Sequence, residues 1–224
     1  MCNPSVFDFC FETMSSEDFN EKRVLEVGSR NVNGGIRMFI TSQFKPKEYV
    51  GVDILAGKSV DRIIPVESLE ETFGENSFDV VISTEMLEHV RDWRSAIDNI
   101  KHVVTKDGHI YITTRSHGFP FHAFPHDFWR FELEDIERIF SDFEIIALQS
   151  DPDSPGVFLK ARKIATSTYA DLSTIDLYSM ILGKRTLEIP SPQELSRFRS
   201  FAYKLEELTR IIFHRVTSSL KWLN

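Results

Sequence analysis

The 224-residue sequence predicts an α/β fold built on a mostly parallel, doubly wound sheet with helices on both faces. Three observations carry this. Short apolar runs at about 23–28, 48–54, 61–65, 78–84 and 109–114 alternate with helix-compatible stretches, which is the pattern of strand–helix–strand crossovers. The first run ends in Glu26-Val27-Gly28 and opens into a flexible turn, Ser29 to Gly35. The second ends on Asp53, twenty-five residues beyond Gly28; a carboxylate at the tip of the second strand can accept both hydroxyls of a ribose.

In chain order, residues 4–19 come first, with Val6, Phe7, Phe9, Cys10, Phe11, Met14 and Phe19 dense enough for one packing helix. A lid over a ligand is the competing reading. Helices are expected over Ile36 to Phe44, Asp92 to Val104 and Asp135 to Phe140. Two more strands, Phe143 to Leu148 and Val157 to Ala161, bring the sheet to seven. The connection Asp151-Pro152-Asp153-Ser154-Pro155-Gly156 between them is a hairpin and not a helical crossover, so the last strand should run antiparallel.

Beyond about 164 the pattern becomes helical. Thr168 to Leu182 reads as a helix stopping at Gly183, and Ser191-Pro192-Gln193-Glu194 is a capping box with proline in the first helical position. Leu195, Phe198, Ala202, Leu205, Leu208, Ile212 and Val216 then recur every three or four residues, as on a long amphipathic helix. The expected division is a ligand-binding domain over 1–163 and a helical extension over 164–224. Between Ser191 and Asn224 six basic residues face three acidic ones. This helix packs on its own domain or on a second subunit as a homodimer, or else lies on a membrane surface; residues 191–222 carry either reading.

Composition narrows the function. A net charge of −8 excludes a generic nucleic-acid binder, because neutralising phosphates requires clustered Lys and Arg. Cys2 and Cys10 have no partners elsewhere, so neither a disulfide framework nor a cysteine metal site is implied. With no apolar run of spanning length and no signal-peptide pattern, a reducing cytoplasm is the expected location.

The glycine pattern selects the cofactor. Dinucleotide folds use G-x-G-x-x-G so that a helix N-terminus meets a pyrophosphate, yet the residues two and five after Gly28 are Arg30 and Asn33. A nicotinamide oxidoreductase is disfavoured. Glu26 instead suits a ligand carrying a positive amine and a sulfonium, for which a helix N-terminus is the wrong electrostatic partner. S-adenosylmethionine is such a ligand.

Four segments together point to a family: Val24 to Gly35, Tyr49 to Ile54, Phe78-Asp79-Val80-Val81-Ile82-Ser83-Thr84-Glu85-Met86-Leu87-Glu88-His89-Val90, and Lys106 to Thr113. In their order and spacing the chain resembles a class I S-adenosylmethionine-dependent methyltransferase of the group with a Glu-x-Gly first motif, over about its first three quarters. The resemblance implies a Rossmann-like sheet of seven strands whose last strand is antiparallel. It also marks departures: Arg30 and Val32 stand where two further glycines are usual, Asp107 precedes Gly108 where a glycine pair is usual, and Pro65 stands where an acid commonly meets adenine.

On this reading Asp53 is the ribose ligand and Ile54 covers one adenine face. Glu26 holds the methionine part, directly or through water, and Arg30 pairs with its carboxylate. Val66 and Glu67 reach adenine by backbone and side chain, although a surface Glu67 fits equally well. The Ser83-Thr84-Glu85 turn should touch the cofactor through its backbone, at the carboxyl edge where open α/β sheets bind ligands. His89 faces the transferred methyl or is a helix-capping or core histidine.

The loop Arg115 to Phe131 follows the fifth strand and holds His117, His122, His126 and Asp127 among aromatics and prolines. It resembles a His-x-x-Pro-x-Asp-Phe-Trp-Arg-Phe signature associated with methyltransferases of cell-surface polysaccharide or secondary-metabolite pathways. His122 and His126, with Asp127, are the candidates for general base toward an alcohol or acid acceptor. In the structural alternative Trp129 and Phe131 plug the core while Asp127 and Arg130 pin the loop. A metal on His117, His122, His126 and Asp127 fits no tight helical or finger spacing, so no metal is expected. The function expected is methyl transfer to an oxygen, less readily a nitrogen, of a small-molecule or glycan-like acceptor. The alternative is a non-catalytic cofactor-binding module whose C-terminal helix binds a partner.

Overall fold

In a computed structural model, residues 4–32, 34–122, 126–164 and 169–198 are described. The strands β1 (Arg23–Val27), β2 (Glu48–Asp53), β3 (Arg62–Ile63), β4 (Phe78–Thr84), β5 (Val104–Arg115), β7 (Phe143–Ser150) and β8 (Gly156–Lys163) form one seven-stranded sheet in the order β3-β2-β1-β4-β5-β8-β7. All neighbours through β5 are parallel, and β8 is antiparallel to both β5 and β7. This is the Rossmann-like arrangement with one reversed strand. The hairpin at 151–156 produces the reversal, closed by a hydrogen bond from Asp151 N to Gly156 O of 2.9 Å.

Both faces of the sheet are buried, so its strands carry apolar residues on both sides. Val24, Val80, Ile82 and Tyr111 join a core under α1 (Pro4–Thr13), α2 (Ser16–Phe19) and α3 (Arg37–Gln43). Leu25, Val27, Val81, Ile110 and Ile112 face the opposite core, which contains α4 (Leu69–Phe73), α5 (Trp93–Val103) and α6 (Leu133–Ile139). Asp92 caps α5 by accepting from Ser95 N at 3.2 Å, and the helix buries Trp93, Ala96, Ile97, Ile100 and Val103. Each of its larger apolar side chains contributes about 1.5–3 kcal/mol of burial.

Three expectations change. The helix over residues 4–19 is two helices, because Ser15 forms a capping box with Asp18 and starts a new one. His89, weighed as a helix-capping residue, lies instead in a single 3-10 turn, Leu87–His89, and the helix proper begins four residues later with Asp92 as its cap. Thr168 to Leu182 is not a helix: its described part forms a 3-10 turn, Leu172–Thr174, and strand β9 (Leu177–Ser179). Ile175, Leu177 and Ser179 are buried at a period of two, the strand period. Gly183, at φ 66°, turns the chain into β10 (Lys184–Thr186). Together with β6 (Trp129–Arg130) these make a three-stranded antiparallel sheet, β10-β9-β6.

The Ser191 capping box forms, with Ser191 N donating to Glu194 Oε2 at 2.8 Å and Glu194 N donating to Ser191 Oγ at 3.3 Å. Residues 192–198 are helical. The amphipathic stripe from Ala202 onward lies outside the described residues. Among those described, no helix is long and apolar enough to cross a membrane.

Candidate active site

The strand order reverses direction between β1 and β4, and ligands of open α/β sheets bind outside the carboxyl ends of the strands at such a point. Glu26, Gly28, Asp53 and Ser83 all lie at these ends. Gly28 has φ 77°, and a Cβ there would stand 2.5 Å from Met86 Cγ, so the first turn and the turn after β4 touch only because the residue has no side chain.

Glu26 is 2% exposed and accepts a hydrogen bond from the Tyr49 hydroxyl at 2.9 Å. Burial outweighs that bond and pushes its carboxyl up to about 7. Asp53 holds the turn from the next strand, accepting from Arg30 N at 3.2 Å through one oxygen and from Leu55 N at 3.0 Å through the other. Each oxygen keeps a further acceptor site for a ribose hydroxyl. Ile54 is 64% exposed beside it. Val66 is buried and Glu67 exposed in the 3-10 turn Val66–Ser68. The Arg30 stem lies against Gly57.

The hydroxyls of Ser29 and Ser83 are buried with no hydrogen-bond partner among the described residues. Buried polar atoms are normally paired, so two orphaned hydroxyls at the strand ends suit a ligand that brings partners. An acid for an amine, a carboxylate for a ribose and this unpaired polar edge fit S-adenosylmethionine.

A second group follows the ends of β4 and β5. Glu85, at φ 53°, accepts from Thr113 Oγ1 at 2.9 Å and pairs with Arg115; burial first, then the neighbouring Glu88, raises it to about 7. Arg115 is buried rather than presented by the loop, and it also reaches Asp151 at 3.2 Å. Glu88 is fully buried; its Oε2 accepts from Thr114 Oγ1 at 2.9 Å. Its Oε1 faces His89 Nε2 at 3.7 Å and His122 Nε2 at 3.8 Å. Burial raises the Glu88 carboxyl and lowers His89.

The loop histidines separate. His122 joins the group, its Nδ1 3.1 Å from Asp127 Oδ2 and its backbone N donating to the same oxygen at 2.8 Å. His126 contributes its carbonyl, which accepts from His89 Nδ1 at 2.5 Å, while its ring stands 6.1 Å from that of Phe128. His117 stacks edge-on against Tyr178 at 4.5 Å. The four-residue metal set weighed from the sequence therefore does not assemble around one point. Glu88 was not among the candidates read from the sequence, although it stands beside His89 after a strand; only the fold shows it buried, with one oxygen unpaired among the described residues.

No curated protein matches the chain. Solved structures share the fold. A 1,6-didemethyltoxoflavin-N1-methyltransferase from Burkholderia thailandensis, with bound 1,6-didemethyltoxoflavin and S-adenosylhomocysteine, is 16% identical at a TM-score of 0.51, covering 65% of this chain and 72% of that one. A putative methyltransferase in complex with the Haloferax volcanii Trm112 methyltransferase activator is 11% identical at a TM-score of 0.59, covering 74% and 91%. A putative S-adenosylmethionine-dependent methyltransferase from Listeria monocytogenes is 12% identical at 0.53, covering 71% and 98%. Residues 7–149 match the model of the methyltransferase domain, and with this strand-end chemistry the chain belongs to the family of S-adenosylmethionine-dependent methyltransferases.

Proposed function

We propose that the enzyme methylates an oxygen, and less readily a nitrogen, of a small-molecule or glycan-like acceptor. The observation that carries this reading is the imidazole of His122 backed by Asp127 at 3.1 Å, beside Glu88 and His89 and beyond the end of β4. Bound S-adenosylmethionine supplies a methyl group activated on a sulfonium and open to in-line displacement. Glu26 and Asp53 orient the cofactor, and Ile54 lies over its adenine.

Asp127 accepts from the His122 backbone N and lies 3.1 Å from its Nδ1, so the carboxylate favours a proton on Nδ1 and leaves Nε2 as the proton acceptor for an acceptor hydroxyl. Arg130 keeps Asp127 ionised for that purpose: against burial, the hydrogen bonds from Arg130 and His122 hold its carboxyl down at about 2. The Burkholderia thailandensis structure, with bound 1,6-didemethyltoxoflavin and S-adenosylhomocysteine, supports a small acceptor on this platform.

The test is His122→Ala, assayed by S-adenosylhomocysteine formation against hydroxylated small molecules and glycans. Turnover should fall by about 10²–10⁴-fold with cofactor affinity kept, the range for a positioned general base. Unchanged turnover removes His122 from the reaction. Saturable binding without turnover on any hydroxylated acceptor removes the oxygen assignment.

A further inference from the structure

We propose that Glu88, His89 and His122 bind one divalent transition-metal cation of the zinc class, with a fourth position open toward the acceptor. One atom from each residue can be chosen so that all three lie within 4.8 Å of one another. Four-coordinate zinc, with bonds of about 2.0–2.2 Å, sets its ligand atoms roughly 3.4 Å apart. The Glu88 Oε1 contacts of 3.7 and 3.8 Å are within a few tenths of an ångström of that spacing.

The surroundings are those a metal site requires. The Nδ1 of His89 donates to the His126 carbonyl, and the Nδ1 of His122 faces the Asp127 carboxylate. Carbonyls and carboxylates behind ligating histidines fix the tautomer that leaves Nε2 with a lone pair, and here both Nε2 atoms point at the same carboxylate oxygen. Glu88 is oriented through Thr114, yet its Oε1 is buried without a hydrogen-bond partner among the described residues. A buried carboxylate oxygen left unpaired is costly. The nearby cations are engaged elsewhere, Arg115 with Glu85 and Asp151, Arg130 with Asp127.

Two imidazoles and one carboxylate are a borderline-soft donor set, suited to zinc, cobalt or iron rather than magnesium. The side chains of His89 and His122 are 25% and 32% exposed, so the group opens to solvent on one side, as catalytic rather than structural zinc sites do. A hydroxyl placed there would lose its proton to water more readily, since such cations lower the pKa of a bound oxygen. With the cation bound, His122 Nε2 is a ligand, and its role as proton acceptor belongs to the metal-free chain. This catalytic use rests on the oxygen-acceptor reading; occupation of the site does not. The expectation of no metal drawn from loop spacing failed to count Glu88 and His89, which reach the loop only in the fold.

The test is titration of the chelator-treated, tag-free full chain with Co²⁺, followed by visible absorption, and then competition with Zn²⁺. One Co²⁺ per chain with ligand-field bands, displaced by Zn²⁺, is expected. His122→Ala, on the exposed side, and Glu88→Gln should each weaken binding at least tenfold with the circular dichroism spectrum kept. His102→Ala, a histidine outside the cluster, should not. No binding, or binding unchanged in His122→Ala, overturns the site whatever Glu88→Gln does. Co²⁺ bound in the expected way without methylation of any hydroxylated acceptor leaves the site standing and removes the acceptor reading; methylation undiminished by chelator in a chain that binds no Co²⁺ does the reverse.

Discussion

Arg130 holds both carboxylate oxygens of Asp127, at 2.5 and 2.8 Å, with neither side chain reached by solvent. The guanidinium also donates to the carbonyls of Phe119, Pro120 and Trp129, so one buried ion pair closes the loop after β5 and presents His122. Removing one member strands the other as an uncompensated buried charge. Asp127→Ala should therefore destabilise the protein by about 3–5 kcal/mol. Because the folded carboxyl is held at about 2 against an ordinary 3.8, its contribution is present above pH 3.8 and lost as pH falls through 2. Urea unfolding at pH 7 and pH 2.5 checks this: the gap between wild type and variant should narrow at low pH. For the same reason an activity loss in Asp127→Ala would not by itself identify a catalytic role, and His122→Ala is the cleaner variant.

Glu26 runs the other way. Its carboxyl is raised by burial from 4.5 to about 7, so the folded state favours the protonated form. No cost exists below pH 4.5, and the cost of ionising it builds up as pH rises to 7 and stays above it. Glu26→Gln should stabilise the cofactor-free protein at pH 8, by about 3 kcal/mol at most, and leave pH 4.5 unchanged. Cofactor affinity of the wild type should fall between pH 7.5 and pH 6, as the acid that meets the amine becomes neutral; calorimetry at the two values decides it. A flat profile would separate Glu26 from the amine.

Asp53→Ala should weaken S-adenosylmethionine binding by about 10–100-fold, the worth of a charged hydrogen bond lost at 1.5–3 kcal/mol. Asp53 also accepts from Arg30 N and Leu55 N, so Asp53→Asn, which keeps an acceptor oxygen, provides the comparison. Calorimetric affinity unchanged in both variants would remove the ribose assignment.

Gly28→Ala places a methyl group 2.5 Å from Met86 Cγ on a backbone at φ 77°. Overpacking and the left-handed conformation should together lower stability by about 2–5 kcal/mol. Adding Met86→Ala should recover the packing part and leave the conformational part. Thermal melts of the single and double variants measure the split, and full recovery would mean that the backbone carries no strain.

The sheet, its reversed strand and the place of Gly28 and Asp53 at strand ends were legible in the sequence because they are written locally. Short apolar runs between helix-compatible stretches gave the strands, the 151–156 connection gave the reversal, and Gly28 and Asp53 stand at the ends of their own strands. Periodicity was misleading over 168–182, where the apolar residues fit either period and pairing with β6 decided for a strand. The second half of the site was not local at all. Glu88 and His89 follow β4, His122 and Asp127 follow β5, and the parallel pairing of those two strands sets both turns at one edge. The residue types name what chemistry is available; burial and the register between strands determine which oxygen is left unpaired and which nitrogens face it.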